Sequence, residues 1–249
     1  MGEATATTPA LPRSLGYTRW MVAAAEEYRR LDDLLRGLAP DQWLAPTDCA
    51  GWDVHDVVAH LAGAAVSTAS LAELLRQAWR AHRVGGAGDL VDRMNQLQVR
   101  DRAGCSAQEL VGDLERSGRR GVTARRRIPH VLRSIPLPFG PPLGTRPVGY
   151  LTGRVYTRDA WMHRVDLARA TGADLVVTPD HDGAIVEDLV AEWAALHGEP
   201  YDLRLCGPAG GHWTSPPGAE EIRLDAIEFA RMLSGRRPGE GLLARHVPF

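Results

Sequence analysis

The sequence predicts a mainly α-helical fold, in which a helical bundle is followed by a smaller α+β domain. Through the first two-thirds of the chain, apolar residues recur about every 3.6 positions, the spacing of amphipathic helices. Strand-like runs follow Pro179. The chain has 249 residues, 44% of them hydrophobic, enough to bury a core. We therefore expect a flexible tail over residues 1–14, a bundle over 15–178 and an α+β domain over 179–249.

Composition and charge exclude several classes of protein. The formal net charge is −2, whereas dedicated nucleic-acid binders are usually much more basic. No run approaches the roughly 18 apolar residues of a membrane span, and residues 1–12 lack the pattern of a secretory signal. Cys49, Cys105 and Cys206 lie far apart, which argues against a disulfide scaffold or a zinc ribbon. The sequence predicts a cytoplasmic protein that binds neither nucleic acid nor membranes.

The first helices follow from apolar periodicity and capping residues. An amphipathic face predicts a helix over Leu15–Leu38, and residues 41–52 are expected to form a loop. Asp53 then fits the N-cap of a second helix, which the apolar pattern extends to Trp79.

Two further helices are predicted before a stretch rich in proline. One covers residues 89–102. The next starts at Ser106, because Glu109 completes a Ser-x-x-Glu capping box. Residues 129–149 contain six prolines and three glycines, which predicts a long irregular loop.

The last third of the chain begins with a helix and then changes character. A helix is predicted over residues 148–171, closed by Gly172 as a C-cap. A short helix over 180–197 follows. Alternating apolar residues then predict three strands and a final helix, over 201–206, 211–215, 220–225 and 226–235.

The helix over 148–171 contains a candidate metal-binding pair. Asp159 and His163 are four residues apart and share one face, and Asp166 lies three residues beyond His163. Such a pair can bind a divalent metal, but it can equally be a surface ion pair worth a few tenths of a kcal/mol. The spacing alone favours the surface pair, because such pairs are common.

His60 is a second candidate, because its sequence neighbours are all apolar and its face is expected to point inward. An isolated inward histidine is more often a core residue than a ligand, but bundle cores are where facing helices build metal sites. Together with Asp159 and His163, His60 would give two histidines and a carboxylate, the ligands of a catalytic zinc site with one open position. Asp56, one turn earlier, is expected to orient His60 by accepting a hydrogen bond.

Three segments resemble the mycothiol-dependent maleylpyruvate isomerase family, part of the DinB-like metalloenzyme superfamily. They are PTDCAGWDVHDVVAHLAG (46–63), RVYTRDAWMHRVDLARATG (154–172) and DAIEFARMLSGRRPGEGLLARHVPF (225–249). The resemblance spans nearly the whole chain. It implies a metal-binding four-helix bundle, with a C-terminal α+β domain, and zinc or another divalent metal bound by His60, Asp159 and His163. The family usually has Glu where Asp159 stands, and Asp is one methylene shorter.

The resemblance also implies catalytic residues and a cosubstrate. Asp166 matches a family acid that acts beside the metal, and Arg236 matches a basic residue that reaches the site from the C-terminal domain, although Arg237 is adjacent. Mycothiol is the implied cosubstrate and a small electrophile the implied substrate, with members spread through actinobacterial metabolism. Zinc ionises a bound thiol, whose free pKa is about 8.5, at neutral pH.

The sequence does not separate a thiol S-transferase from a thiol-dependent cis–trans isomerase, because both begin with addition of the thiolate to the electrophile. Two other readings remain open. A zinc hydrolase would place water rather than thiol at the open position and would need no thiol. A non-catalytic ligand-binding protein on the same bundle would show no turnover.

A cluster of arginines is the remaining feature that could bind a ligand. A solvated helix face is the favoured interpretation, and binding of an anionic substrate or polar thiol is the alternative. Nucleic-acid binding is less favoured still, because no recognition motif accompanies the cluster. The cluster consists of Arg119, Arg120, Arg125, Arg126, Arg127 and Arg133.

Overall fold

The mainly α fold is confirmed by a computed structural model of the chain. It describes residues 11–85, 88–140, 143–215, 219 and 221–249. The described chain forms two compact units: residues 17–175, and residues 176–249 together with 11–16. Among the described residues, no helix has both the length and the apolar character needed to span a bilayer.

The first unit is a helical bundle. Helices α1, α2, α5 and α7 form its four long members: α2 packs against α5 and α7, and α1 packs against the same two helices. Helices α3 and α4 pack together and against α2. The helices of this unit are α1 (Tyr17–Arg36), α2 (Val54–Ala69), α3 (Leu71–Val84), α4 (Leu90–Arg100), α5 (Ala107–Arg126), α6 (His130–Arg133) and α7 (Tyr156–Thr171).

Three predicted helix termini are confirmed. The Asp53 carboxylate accepts a hydrogen bond from the backbone N–H of Asp56 at 2.9 Å, as an N-cap does. Ser106 and Glu109 form the predicted capping box at the start of α5. Gly172 closes α7 with a φ of +68°, a left-handed conformation that favours glycine.

The single helix predicted from residue 54 to Trp79 is wrong, because the chain breaks at Ser70. Ser70 adopts an extended conformation, and its hydroxyl accepts a hydrogen bond from the backbone N–H of Glu73 at 3.4 Å. Ser70 and Glu73 repeat the Ser-x-x-Glu pattern of a helix start inside a continuous apolar run. The break lets α3 pack back against α2.

Residues 129–149 were predicted to be irregular, but they contain α6 and an antiparallel hairpin of β1 (Pro136–Gly140) and β2 (Gly144–Pro147). Pro136 and Pro138 are two residues apart, so their missing N–H groups fall on the same edge of β1. The opposite edge remains free to pair with β2. A π-helical turn over Tyr150–Val155 then leads into α7, at the start of the predicted helix.

The second unit contains the three predicted strands. Strand β3 lies between β4, with which it is antiparallel, and β5, with which it is parallel. Trp193 on α8 is fully buried, with the rings of Tyr201 and Phe229 at 5.2 and 5.6 Å. The elements are a π-helical turn (Pro179–Gly183), α8 (Ala184–His197), β3 (Tyr201–Cys206), β4 (Gly211–Ser215), β5 (Glu221–Asp225), α9 (Ala226–Leu233) and a 3₁₀ turn (Gly241–Ala244).

The tail predicted over residues 1–14 is only partly described, because residues 1–10 lie outside the described residues. The backbone N–H groups of Arg13 and Leu15 donate hydrogen bonds to the carboxylates of Glu187 and Asp188, at 3.2 and 2.7 Å. The stretch from residue 11 to 16 is therefore tied to α8.

Candidate metal centre in the helical bundle

The structure brings together His60, Asp159 and His163 inside the bundle. The Nε2 atom of His60 lies 3.5 Å from one carboxylate oxygen of Asp159, and the Nε2 atom of His163 lies 3.4 Å from the other. The two imidazole rings are 5.1 Å apart between centroids. One potential ligand atom from each of the three residues therefore lies within 4.8 Å of the other two.

Packing of α2 against α7 positions these three residues. His60 projects from α2, in a run of fully buried apolar residues, and it is 4% exposed. Asp159 and His163 lie one turn apart on α7, so both face α2. The Asp159 side chain keeps 23% of its surface exposed, so water reaches the carboxylate.

The charges of the site are set by the Asp159–His163 contact. Burial by itself would raise the pKa of Asp159, but attraction and hydrogen bonds from His163 and His60 outweigh it and hold that pKa well below its usual range. Burial would likewise lower the pKa of His163, but Asp159 foremost, with Asp166 and Cys49, raises it well above 6.5. The Asp159 carboxylate is therefore ionised at neutral pH, and its negative charge attracts a cation.

Gln98 orients the His60 ring. Its carbonyl oxygen Oε1 lies 2.8 Å from Nδ1 of His60, and because a carbonyl only accepts, Nδ1 carries the proton. The other ring nitrogen, Nε2, then faces Asp159. The Gln98 amide donates in turn to Gln77 at 2.9 Å, and Gln77 donates to the backbone oxygen of Gly63 at 3.2 Å.

The expectation that Asp56 orients His60 is therefore wrong, because Gln98 and Asp159 contact both ring nitrogens of His60. Sequence reasoning missed Gln98 and Gln77. They lie on α4 and α3, which approach His60 only because α2 ends at Ala69. The Ser70–Glu73 capping pattern is the signal that could have revealed this arrangement.

Asp166 contacts Nδ1 of His163, whereas Asp159 faces the other ring nitrogen, Nε2. The Oδ2 atom of Asp166 lies 3.1 Å from Nδ1 of His163, and the residue is fully buried. The Cys49 thiol lies 3.4 Å from the same oxygen and 3.7 Å from Nδ1. Because a carboxylate only accepts, Cys49 donates its S–H to Asp166.

Arg236 and Arg237 lie in the second unit, just after α9. The backbone N–H groups of both donate to the carbonyl oxygen of Arg231, at 2.9 and 3.3 Å. The exposed side chain of Arg237 donates to the Glu228 carboxylate at 2.7 Å, whereas Arg236 is half-buried. The role predicted for Arg236 stays a prediction.

The arginine cluster is a solvated helix face for most of its members. Arg119, Arg120, Arg126 and Arg127 are exposed, and Arg119 donates to Glu115 on the same helix. The guanidinium of the half-buried Arg133 lies 4.2 Å from the ring centre of Tyr17. The expectation is wrong for Arg125, which is only 1% exposed.

Residues 24–168 match the family model described as the mycothiol maleylpyruvate isomerase N-terminal domain, over more than half of the chain. The chain is 26% identical over 228 residues to an uncharacterised protein found in two strains of Mycobacterium tuberculosis, covering 83% of this chain and 81% of that protein. Among solved structures, the mycothiol-dependent maleylpyruvate isomerase superposes with a TM-score of 0.58 at 19% identity, and a single-residue mutant of that enzyme with 0.57 at 18%. Each of these two superpositions covers 90% of both chains. At identities of 18–19%, the likeness to these structures shows a shared fold only.

Proposed function

The chain belongs to the mycothiol maleylpyruvate isomerase family, and on that premise we propose that it is a zinc-dependent enzyme that activates a low-molecular-weight thiol, mycothiol, for addition to a small electrophile. The reaction is a thiol-dependent isomerisation or an S-transfer. The observation that carries the proposal is the convergence of His60, Asp159 and His163 inside the matched domain.

The donor set supports zinc at this position. Tetrahedral zinc with bonds of about 2.0–2.1 Å separates its ligand atoms by about 3.3 Å. The Nε2 atoms of His60 and His163 lie 3.5 and 3.4 Å from the Asp159 oxygens. Three protein ligands leave one position open, as catalytic zinc sites do. The shorter side chain of Asp159 reaches both histidines, although the family usually has Glu there.

The remaining residues orient the ligands. Gln98 contacts Nδ1 of His60 and Asp166 contacts Nδ1 of His163, so the Nε2 atom of each ring is directed toward Asp159. We assign Asp166 a positioning role, because it contacts His163 on the side away from Asp159. Zinc bound here supplies the positive charge that keeps a thiol ionised at neutral pH.

The thiolate then adds to an electrophilic carbon of the substrate. In an isomerisation, the adduct rotates about the former double bond and expels the thiolate again. In an S-transfer, the sulfur stays on the product.

Metal analysis of the purified full chain, followed by incubation with mycothiol and maleylpyruvate as the electrophile, tests this function. We expect about one zinc per chain and turnover only when thiol and electrophile are both present. Equal turnover without thiol would support a zinc hydrolase instead. A zinc-loaded protein with no turnover toward any conjugated electrophile would support a ligand-binding protein.

The substitution Gln98→Leu is expected to weaken zinc binding about 10- to 100-fold, because it leaves Nδ1 of His60 without its partner. Competition with a chromogenic chelator measures the affinity. Asp56→Asn is the matched control, since Asp56 precedes His60 by one turn and does not contact its ring nitrogens. Equal zinc affinities for both variants would contradict the orienting role of Gln98.

Arg236→Ala is expected to lower kcat/KM about 100-fold and to leave the zinc content unchanged, because we propose that Arg236 stabilises negative charge on the substrate. Arg237→Ala is the control and should change kcat/KM less than about threefold, since Arg237 is exposed and paired with Glu228. The opposite ranking of the two variants would transfer the role to Arg237.

A further inference from the structure

Arg125 is a buried cation with unused hydrogen-bond donors. It lies near the end of α5, and 1% of its surface is exposed. Its Nη1 atom donates to the backbone oxygen of Thr152 at 3.0 Å. Its Nε and Nη2 atoms have no hydrogen-bond partner in the described part of the chain, and no described carboxylate forms an ion pair with it.

Such an arrangement destabilises the folded chain. Removing a guanidinium from water without a counter-charge costs more than one hydrogen bond to a carbonyl returns. Burial accordingly lowers the pKa of Arg125, opposed only by nearby tyrosines. An apolar side chain of similar volume would fill the same space at lower cost, so packing does not explain this residue.

Three tyrosines lie near Arg125, and the hydroxyl of one of them, Tyr17, donates a hydrogen bond to the backbone oxygen of Arg125 at 2.8 Å. Tyr28 on α1 and Tyr156 on α7 both interact electrostatically with Arg125. Burial raises the pKa of Tyr28 to about 12 and also raises that of Tyr156, so both hydroxyls keep their protons at neutral pH. Gly118 gives the Tyr28 ring its space, because a Cβ atom there would lie 2.6 Å from the ring.

This cluster lies next to the candidate metal centre. Tyr156 is one turn before Asp159 on α7, a rise of about 4.5 Å along the helix. Asp159 acts electrostatically on both Tyr156 and Tyr28, so the two tyrosines lie near that carboxylate. The two clusters therefore occupy successive layers of the bundle interior, and the exposed part of Asp159 shows that water enters there.

We propose that Arg125 binds a carboxylate group of the substrate, one layer away from the candidate metal centre. The free Nε and Nη2 donors form one edge of the guanidinium, and such an edge binds a carboxylate through two parallel hydrogen bonds. This assignment rests on the proposed function, which describes the reaction at the other end of the substrate. Binding of the carboxylate to Arg125 can be measured without thiol and without turnover.

Calorimetric titration of the zinc-loaded full chain with maleate, without thiol, tests the site. We expect binding that Arg125→Met weakens at least tenfold and that Arg120→Met, on the exposed face of the same helix, leaves unchanged. Maleamide, which lacks the charges, should bind both wild type and Arg125→Met weakly. Undiminished maleate binding by Arg125→Met, or absent binding by the zinc-loaded wild type, would overturn the site. If the purified chain contains no zinc, that result counts against the proposed function and not against the anion site. Maleate binding is then measured on the metal-free chain.

Thermal unfolding separates this role from a structural one. A ligand-binding Arg125 predicts that Arg125→Met has an equal or higher Tm than wild type without maleate, and that maleate raises the Tm of wild type only. A lower Tm with an unchanged response to maleate would show that Arg125 is structural. If Arg125→Met fails to fold, Arg125→Lys is used: it keeps the charge but loses the two-donor edge. Weaker maleate binding by this variant supports the site, and wild-type binding overturns it.

Discussion

Replacing His163 by alanine is expected to remove the metal and more than about 99% of the activity. His163 is one of three proposed ligands, and its Nε2 atom lies 3.4 Å from Asp159. Without it, His60 and Asp159 offer only two ligands, which is below the three of a catalytic zinc site. Circular dichroism must show that the variant is folded, because removing His163 takes a partner from the fully buried Asp166.

Zinc per chain and initial rate, measured on the same preparation, check this result. His55→Ala is the matched control: His55 lies on α2, five residues before His60, and bonds to the backbone oxygen of Cys105 at 2.8 Å. It should keep its zinc and its rate. Asp159→Glu should also keep zinc, because Glu is the usual family residue. A folded His163→Ala protein with a full equivalent of zinc would refute the ligand assignment.

The common face of Asp159 and His163 and the inward direction of His60 could be predicted, because both signals are local. The four-residue spacing of Asp159 and His163 fixes their common face, and the apolar neighbours of His60 indicate its inward direction. Gln98 could not be predicted in the same way, because its approach to His60 depends on how α3 and α4 fold back after Ser70.

Arg125 was misread because the sequence around it is rich in arginine, which is typical of a solvated face. The buried positions of α5 nevertheless recur at three- and four-residue intervals through Leu114, Gly118 and Val122, and this stripe ends on Arg125. The helical period was therefore a better guide than composition. The hairpin of β1 and β2 was missed for a related reason, since proline content indicates irregular structure unless the prolines share one strand edge.

Activity is expected to depend entirely on an added small thiol and not on the cysteines of the chain. A variant with all three cysteines changed to serine should fold, keep its zinc and retain most of its activity. Cys49 is the critical position, because its thiol lies 3.4 Å from Asp166 and 3.7 Å from His163. Serine keeps the donated hydrogen bond there. Cys105 is half-buried and Cys206 exposed, and both are free thiols.

Omitting mycothiol should stop turnover in both the wild type and the triple variant. With thiol present, the rate should hold well below pH 8.5, the approximate pKa of a free thiol, because the metal rather than the solvent sets its ionisation. Initial rates at a fixed thiol concentration, measured from about pH 6 to about pH 9, test this. The range includes the pKa of the free thiol. A triple variant that is folded and zinc-loaded but inactive would assign the nucleophile to Cys49. Equal wild-type rates without thiol would instead leave water as the reacting group and favour the hydrolase.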